Sequence, residues 1–445
     1  MRRETKQEDI LLDHLDGIAI APEAIKWLHT PTNFRETLLE RINQAQKVIY
    51  IAALYLEDDE AGREILQALL SAKAANPKLD IKVLVDYHRA RRGLIGQKDD
   101  SGNYQLYRQL MQQASAPFDI YGVPVKSREL LGVLHLKGFI IDDAVIFSGA
   151  SLNNVYLQKL ARYRLDRYHL IESAELATSM IDMIDQDILE DDAVVKLTDM
   201  ADIRPDKNQL RAFKQRLARA SYRFRSVNHG LRVTPLVGLG RKSNQLNRTI
   251  LALVKSAERE MFICTPYFNP PYSLTRAISR QLRKGVKIDI IVGDKTANDF
   301  YIPPEKPFST IGALPYLYEQ SLRKFVKRQQ WAVEQGLLNV HLWQHDNNSF
   351  HLKGISVDNQ HHLLTGSNLN PRAWALDLEN GLLVHDEQLQ LKDKFTQEQQ
   401  QLLEHSERMT HYRQLETLQQ YPAPVRKILN RIRRLKADIL LRRIL

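Results

Sequence analysis

The chain has 445 residues, enough for two or three domains that each bury a full core. Hydrophobic residues make up 43% and charged residues 26%, which excludes a disordered or fibrous chain. The first residues lack a signal peptide's apolar stretch, no apolar run is long enough to span a bilayer, and one cysteine excludes an internal disulfide. A reducing, cytoplasmic setting is the expectation. The formal net charge of +10 calls for a polyanionic partner, either nucleic acid or an anionic membrane surface.

In chain order, residues 48–54 (VIYIAAL) and 81–85 (IKVLV) read as strands around a helix over 60–75. A hairpin over 132–141 and 144–148 follows, turning at Asp142-Asp143, and then a strand over 168–171. Residues 211–225 hold six basic residues and no acid. Leu210, Phe213, Leu217 and Phe224 fall near one helical face there, for a solvated linker or a membrane contact alike.

The first order then returns. A helix over 247–258 precedes strands over 261–267 and 286–292, a hairpin over 350–357 and 362–365, and a strand over 381–384. Cys264 falls in an apolar run and reads as a buried strand residue. Ile51 to Tyr55 matches Ile263 to Tyr267, and SGASLNN (148–154) matches TGSNLNP (365–371). Two similar α/β domains fused in one chain are expected. We expect them over 1–200 and 233–410, joined by a basic linker over 201–232 and followed by a helical tail over 411–445.

Each half carries one octet: HLKGFIID from His135 to Asp142, and HLKGISVD from His351 to Asp358. Alternation along a strand points His135 with Lys137, and His351 with Lys353, to one side. Facing domains would put two imidazoles and two ammoniums in one cleft. That inventory suits phosphoryl transfer: one imidazole attacks phosphorus, the other moves protons, and the lysines neutralise the oxyanion, so no metal or other cofactor is called for. One such pair on a strand is usually a surface pair; two in matching contexts favour catalysis. Asp142 and Asp358 complete the motif but have the opposite parity and fall at the turn, so they read as loop-fixing. Orienting carboxylates are expected elsewhere, with Asp166 and Glu379 the candidates.

His-x-Lys-x4-Asp, twice, with Gly/Ser/Asn turns behind it, resembles the phospholipase D superfamily. TPYFNPP (265–271), residues 293–319 and NLNPRAWALDLEN (368–380) resemble its bacterial CDP-diacylglycerol–serine O-phosphatidyltransferases. The resemblance runs from about Thr32 to the C-terminus. It implies an α/β fold of two similar phospholipase D-like domains, each a mixed sheet flanked by helices, in a pseudo-twofold pair with one active site between them. It implies CDP-diacylglycerol and L-serine as substrates, a phosphatidyl-histidine intermediate, His135 as nucleophile and His351 as base. Glu379 matches the glutamate that orients the imidazole in relatives; Asp166 departs from it. Lys137, Lys353, Asn153 and Asn368 would stabilise the oxyanion, although the first-half turn leaves the place of Asn153 open by one position.

The segment 425–445 has eight Arg or Lys against one Asp, +7 of the net charge. Val425, Ile428, Leu429, Ile432, Leu435 and Ile439 share a helical face, ringed by Arg426, Lys427, Arg431, Arg433, Arg434 and Lys436. Such a basic amphipathic helix fits an anionic membrane interface, which implies an enzyme peripheral to the inner face of the cytoplasmic membrane; packing on the domain is the other reading. For substrate binding, Arg89 and Arg91 after the 81–85 strand, Asp294 and Lys295 after the matching strand, and Tyr267 are candidates, with ordinary loops an equal reading. Cardiolipin synthase or phospholipase activity toward another acceptor is the alternative, and a nuclease a second. Nucleic acid is disfavoured as substrate because the basic excess lies in an amphipathic helix rather than an aromatic-lined groove.

Overall fold

The computed structural model describes residues 12, 15–92, 102–200 and 204–434. Two strand-rich halves follow the predicted order. In the first, β1 (Val48–Ala52), β2 (Asp80–Asp86) and β3 (Asp119–Val123) are parallel, while β4 (Gly138–Ile141), β5 (Ala144–Ser148) and β6 (Tyr168–Glu172) continue antiparallel from the other edge of β1. In the second, β7 (Arg232–Leu239) pairs antiparallel with the strand Leu378–His385, and β8 (Glu260–Thr265), β9 (Lys287–Gly293) and β10 (Leu338–Trp343) are parallel. There β11 (Gly354–Val357), β12 (His361–Thr365) and β13 (Leu378–His385) repeat the antiparallel run. Ala52 stands opposite Gly138 and Cys264 opposite Gly354, so the two halves share one register.

Alternation along the strands builds the layers. In β4 and β5, Phe139, Ile141, Ala144 and Ile146 face a core packed under α1 (Pro31–Gln44) and α2 (Glu60–Ala75). Their alternates Ile140, Val145 and Phe147 join Val233, Leu364, Leu382 and Val384 of the second half. The inner faces of the two sheets therefore share one core, to which the helix Ala174–Met183 also contributes Leu176, Ala177 and Met180, as expected for a pseudo-twofold pair of α/β domains. The strand Ile18–Ala19 lies at the edge of the second sheet, although it precedes the whole first half.

Three expectations change. The strands that should carry His135 and His351 start later, at Gly138 and Gly354, and the histidines stand in extended chain before them. The linker helix is α3 (Lys207–Leu217), with Phe213 and Leu217 in the shared core, so its apolar face is not offered to a membrane; Phe224 lies beyond it and packs on the same core. The tail helix α4 (Ala423–Arg434) buries Val425 and Leu429, and rests Ile428 and Ile432, against Ala313, Tyr316 and Tyr421. That apolar stripe meets protein, while Arg426, Lys427, Arg431, Arg433 and Arg434 stay exposed. Leu435, Lys436 and Ile439 lie outside the described residues.

Candidate active site

The segments before β4 and β11 each lack a partner in their own sheet and find one in the other half. His135 N donates to Leu378 O at 3.0 Å, and His351 N donates to Leu165 O at 2.8 Å. Each histidine is thus tied to the residue just before the other half's candidate carboxylate. The side chains cross in the same way. His135 Nδ1 lies 2.8 Å from Glu379 Oε2, and His351 Nδ1 lies 2.9 Å from Asp166 Oδ2. Both proposed orienting carboxylates reach a histidine, and each reaches the one supplied by the opposite half.

The lysines lie in the same buried centre; Lys137 is 1% exposed and Lys353 0%. Lys137 Nζ donates to Ser151 Oγ at 2.9 Å, and Asn380 clamps its backbone from both sides. Lys353 Nζ pairs with Asp166 Oδ2 at 3.0 Å and touches His351 Nδ1. The glycine that ends each His-Leu-Lys-Gly run is required by the backbone: φ is 154° at Gly138 and 155° at Gly354, where side chains are strained. A Cβ on Gly149 would stand 2.9 Å from Lys353 Nζ, and one on Gly366 2.9 Å from Lys137 Cγ. The two turns therefore leave room for the opposite half's lysine.

Burial works against charge throughout. It holds His135 well below the ordinary imidazole range, reinforced by the Lys137 charge. It brings His351 to about 4, with Lys353 second. Lys137 falls to about 7 through burial and then the Lys353 charge. Burial pushes Asp166 up, but the Lys353 ammonium and the His351 hydrogen bond override it and the carboxyl sits at about 2. Burial wins at Glu379, which rises to about 8 against the pull of both lysines. At neutral pH both imidazoles are neutral; His351 Nε2 is free once Nδ1–H donates to the ionised Asp166, and His135 Nε2 is free once Glu379, raised to about 8, has lost its proton and accepts from Nδ1–H.

Asp142 and Asp358 complete the motif but stand outside this centre, at the far ends of β4 and β11, so they fix the loop as their parity predicts and are not catalytic groups. Asp142 accepts from the backbone N–H groups of Gln46, Lys47 and Val48, and Asp358 from those of Glu258, Arg259 and Glu260. They staple the hairpin to the entry of the neighbouring strand.

The asparagine pair is also corrected. Asn153 caps its turn by accepting from Tyr156 N, and the residue that does so in the second half is Asn370, accepting from Ala373 N. Asn153 therefore corresponds to Asn370, and Ser151 to Asn368. The Gly-x-x-x-Asn spacing from Gly149 and from Gly366 held that signal. Asn153 Nδ2 also reaches Tyr55 OH at 3.4 Å, while Asn368 Oδ1 is buried without a partner among the described residues.

The substrate-binding candidates divide. Tyr267 is at the centre: its ring meets the His351 ring edge-on at 5.9 Å, and its hydroxyl donates to Asp299 Oδ2. Arg89 stacks on Tyr55 and pairs with Glu57 at 2.9 Å. Arg91 rests on the rings of Tyr87 and Tyr104 instead. Asp294 caps its own turn at Thr296 N, and Lys295 is held by Glu319 and Glu416 at 3.1 and 2.6 Å, so neither is poised for a pyrophosphate. Cys264 is buried in β8 with its thiol pushed up to about 12 by burial, as a strand residue should be. A cavity of about 890 Å³ opens beside Phe268, Pro371 and Trp374 and is lined by Arg241, Arg276, Arg283 and Arg328. Sequence reasoning missed Tyr156, whose hydroxyl is 2.9 Å from His351 Nδ1. Its counterpart Ala373 offers nothing similar, so the duplication carried no hint of it.

Two α/β halves that contribute one His–Lys pair each to a shared centre define the phospholipase D-like class. The family model described as cardiolipin synthase, PLD-like domain, matches residues 38–188 and again 250–403. The chain is 49% identical to the CDP-diacylglycerol–serine O-phosphatidyltransferase of Escherichia coli (strain K12), over 98% of this chain and 97% of that one. It is 45% identical to the enzyme of that name from Haemophilus influenzae, over 99% of each chain. The crystal structure of phosphatidylserine synthase from Haemophilus influenzae superposes with a TM-score of 0.95 at 44% identity, covering 99% of both chains. The chain belongs to the CDP-diacylglycerol–serine O-phosphatidyltransferases of the phospholipase D superfamily.

Proposed function

We propose that this chain transfers the phosphatidyl group of CDP-diacylglycerol to L-serine and releases CMP. Full-length similarity to relatives of that name carries the reading. His135 Nε2 attacks the phosphorus that bears the diacylglycerol. The bond to the CMP oxygen breaks, its electron pair leaves with CMP, and a phosphatidyl-histidine remains. Glu379 meets the positive charge that develops on the imidazole. His351 Nε2 then takes the serine hydroxyl proton while the serine oxygen attacks phosphorus and the N–P bond breaks. Two inversions retain configuration. Lys137 and Lys353 balance the oxyanion in each transfer. In the second step Asp166 holds His351 by Nδ1 and supports the imidazolium.

The test is CMP release from CDP-diacylglycerol in mixed micelles, with serine, glycerol, phosphatidylglycerol or water as sole acceptor. Release that is fast with serine and slow with water, with phosphatidylserine formed, is expected. Equal rates with every acceptor would mean a phospholipase instead. Labelled lipid should remain on the His351→Ala protein and not on His135→Ala; label on the latter would reverse the two roles.

The chain works at an anionic lipid surface, peripherally. The exposed cations of α4 and the four arginines of the groove beside Trp374 supply the attraction. No helix among the described residues is long and apolar enough to cross a membrane.

A further inference from the structure

Beside His351 lies an ion pair that the transfer steps leave unused. Arg164 Nε stands 2.7 Å from Asp299 Oδ1, and their side chains are 16% and 8% exposed, so a small molecule could still reach them. Arg164 lies 4.6 Å over the ring of Tyr156, whose hydroxyl is 2.9 Å from His351 Nδ1. Asp299 Oδ2 accepts from the Tyr267 hydroxyl at 2.6 Å, and the Tyr267 ring borders His351. Each member of the pair is thus one tyrosine away from the proposed base. His135 has no matching tyrosine, because Ala373 stands where Tyr156 does.

The pair is incompletely satisfied. Arg164 Nε faces Asp299 Oδ1 and Ser349 Oγ, and the terminal nitrogens of the guanidinium carry four further N–H donors. Asp299 Oδ2 accepts from Tyr267, but Oδ1 is buried without a hydrogen-bond partner among the described residues, although Arg164 Nε stands beside it. Charges this covered are costly to leave partly unpaired, and a ligand that carries both complementary charges would complete them.

We infer that Arg164 and Asp299 recognise the acceptor as a zwitterionic amino acid, with the guanidinium on its α-carboxylate and the carboxylate on its α-ammonium. The acceptor's hydroxyl then points at His351 Nε2. Water or glycerol satisfies neither charge, so the pair rejects them through the cost of leaving both groups unmatched. This assignment rests on serine transfer as proposed above, and it names the residues that select serine.

The competing account is a strut, since Arg164 comes from the first half and Asp299 from the second. Acceptor competition with the full-length enzyme separates the two. The kcat/KM for L-serine is compared with ethanolamine, which lacks the carboxylate, and with β-hydroxypropionate, which lacks the ammonium. Arg164→Met should lower the serine-to-ethanolamine preference by about tenfold or more, and Arg164→Lys should keep part of it. Asp299→Asn should lower the serine-to-β-hydroxypropionate preference to a similar degree. A strut would depress every acceptor alike, so wild-type ratios in both variants would overturn the assignment alone. A wild-type enzyme with no preference for serine would overturn the transfer reading, and this assignment with it.

Discussion

His135 and His351 occupy matching places in their halves, yet their carboxylates differ in state. Asp166 shares its charge with Lys353 at 3.0 Å and stays ionised, whereas Glu379 has its carboxyl pushed to about 8 by burial. The amide variants should therefore separate. Glu379→Gln should reduce kcat about 10²-fold or more, by loosening the His135 tautomer, while the folded protein stays nearly as stable. Asp166→Asn should reduce kcat similarly and also cost about 3 kcal/mol of stability, because it leaves Lys353 without its buried counter-charge. Thermal unfolding alongside single-turnover kinetics checks both; equal destabilisation would contradict the asymmetry.

At the scale of elements, the duplicated hairpins do the positioning. Gly138 and Gly354 let the chain turn from the cross-half segment into the sheet, and Asp142 and Asp358 pin the other end of each strand. The tail helix α4 shows how one amphipathic pattern admits two outcomes. Its hydrophobic stripe packs on Tyr316 and Tyr421, so only its cations remain for a membrane. Contact should then be electrostatic. Replacing Arg426, Lys427 and Arg431 with alanine removes about 1 kcal/mol of attraction per cation, and should weaken partitioning onto anionic vesicles about 100-fold at low salt. Sedimentation at rising ionic strength checks it; partitioning insensitive to salt would point to apolar insertion.

Across the whole molecule, further histidines lie buried on strands of both sheets. His169, His362 and His385 are each 0% exposed, and neither ring nitrogen of His169 has a partner among the described residues. Burial lowers all three, His169 well below the ordinary range, His362 to about 3 and His385 to about 2. The sign follows from linkage. Between the unfolded value of about 6.5 and these folded values the unfolded chain binds more protons, so stability falls as pH drops below about 6.5. Each histidine contributes about 1.4 kcal/mol per pH unit in that window. The unfolding midpoint should drop steeply from pH 6.5 to 5, and His169→Leu should flatten the slope.

The two His–Lys pairs, the glycine that follows each and the duplicated strand order could be read from residue types repeated at one spacing, because the local backbone demands recur in each half; the carboxylates Asp166 and Glu379 could be read from their place before a matching strand, at similar but unequal distances from the histidines. The crossing of Glu379 to His135 and of Asp166 to His351 could not be read, since it depends on which unpaired segment edges the two halves exchange. The same holds for Tyr156, Arg164 and Asp299, which duplication does not repeat, and for the tail helix, whose stripe fits protein and membrane equally until Tyr316 and Tyr421 are brought beneath it. Sequence by itself determined the inventory of the site and the fold of each half, because both rest on local periodicity and motif chemistry. Tertiary structure alone decided which half completes which histidine, because that rests on contacts between residues some two hundred positions apart.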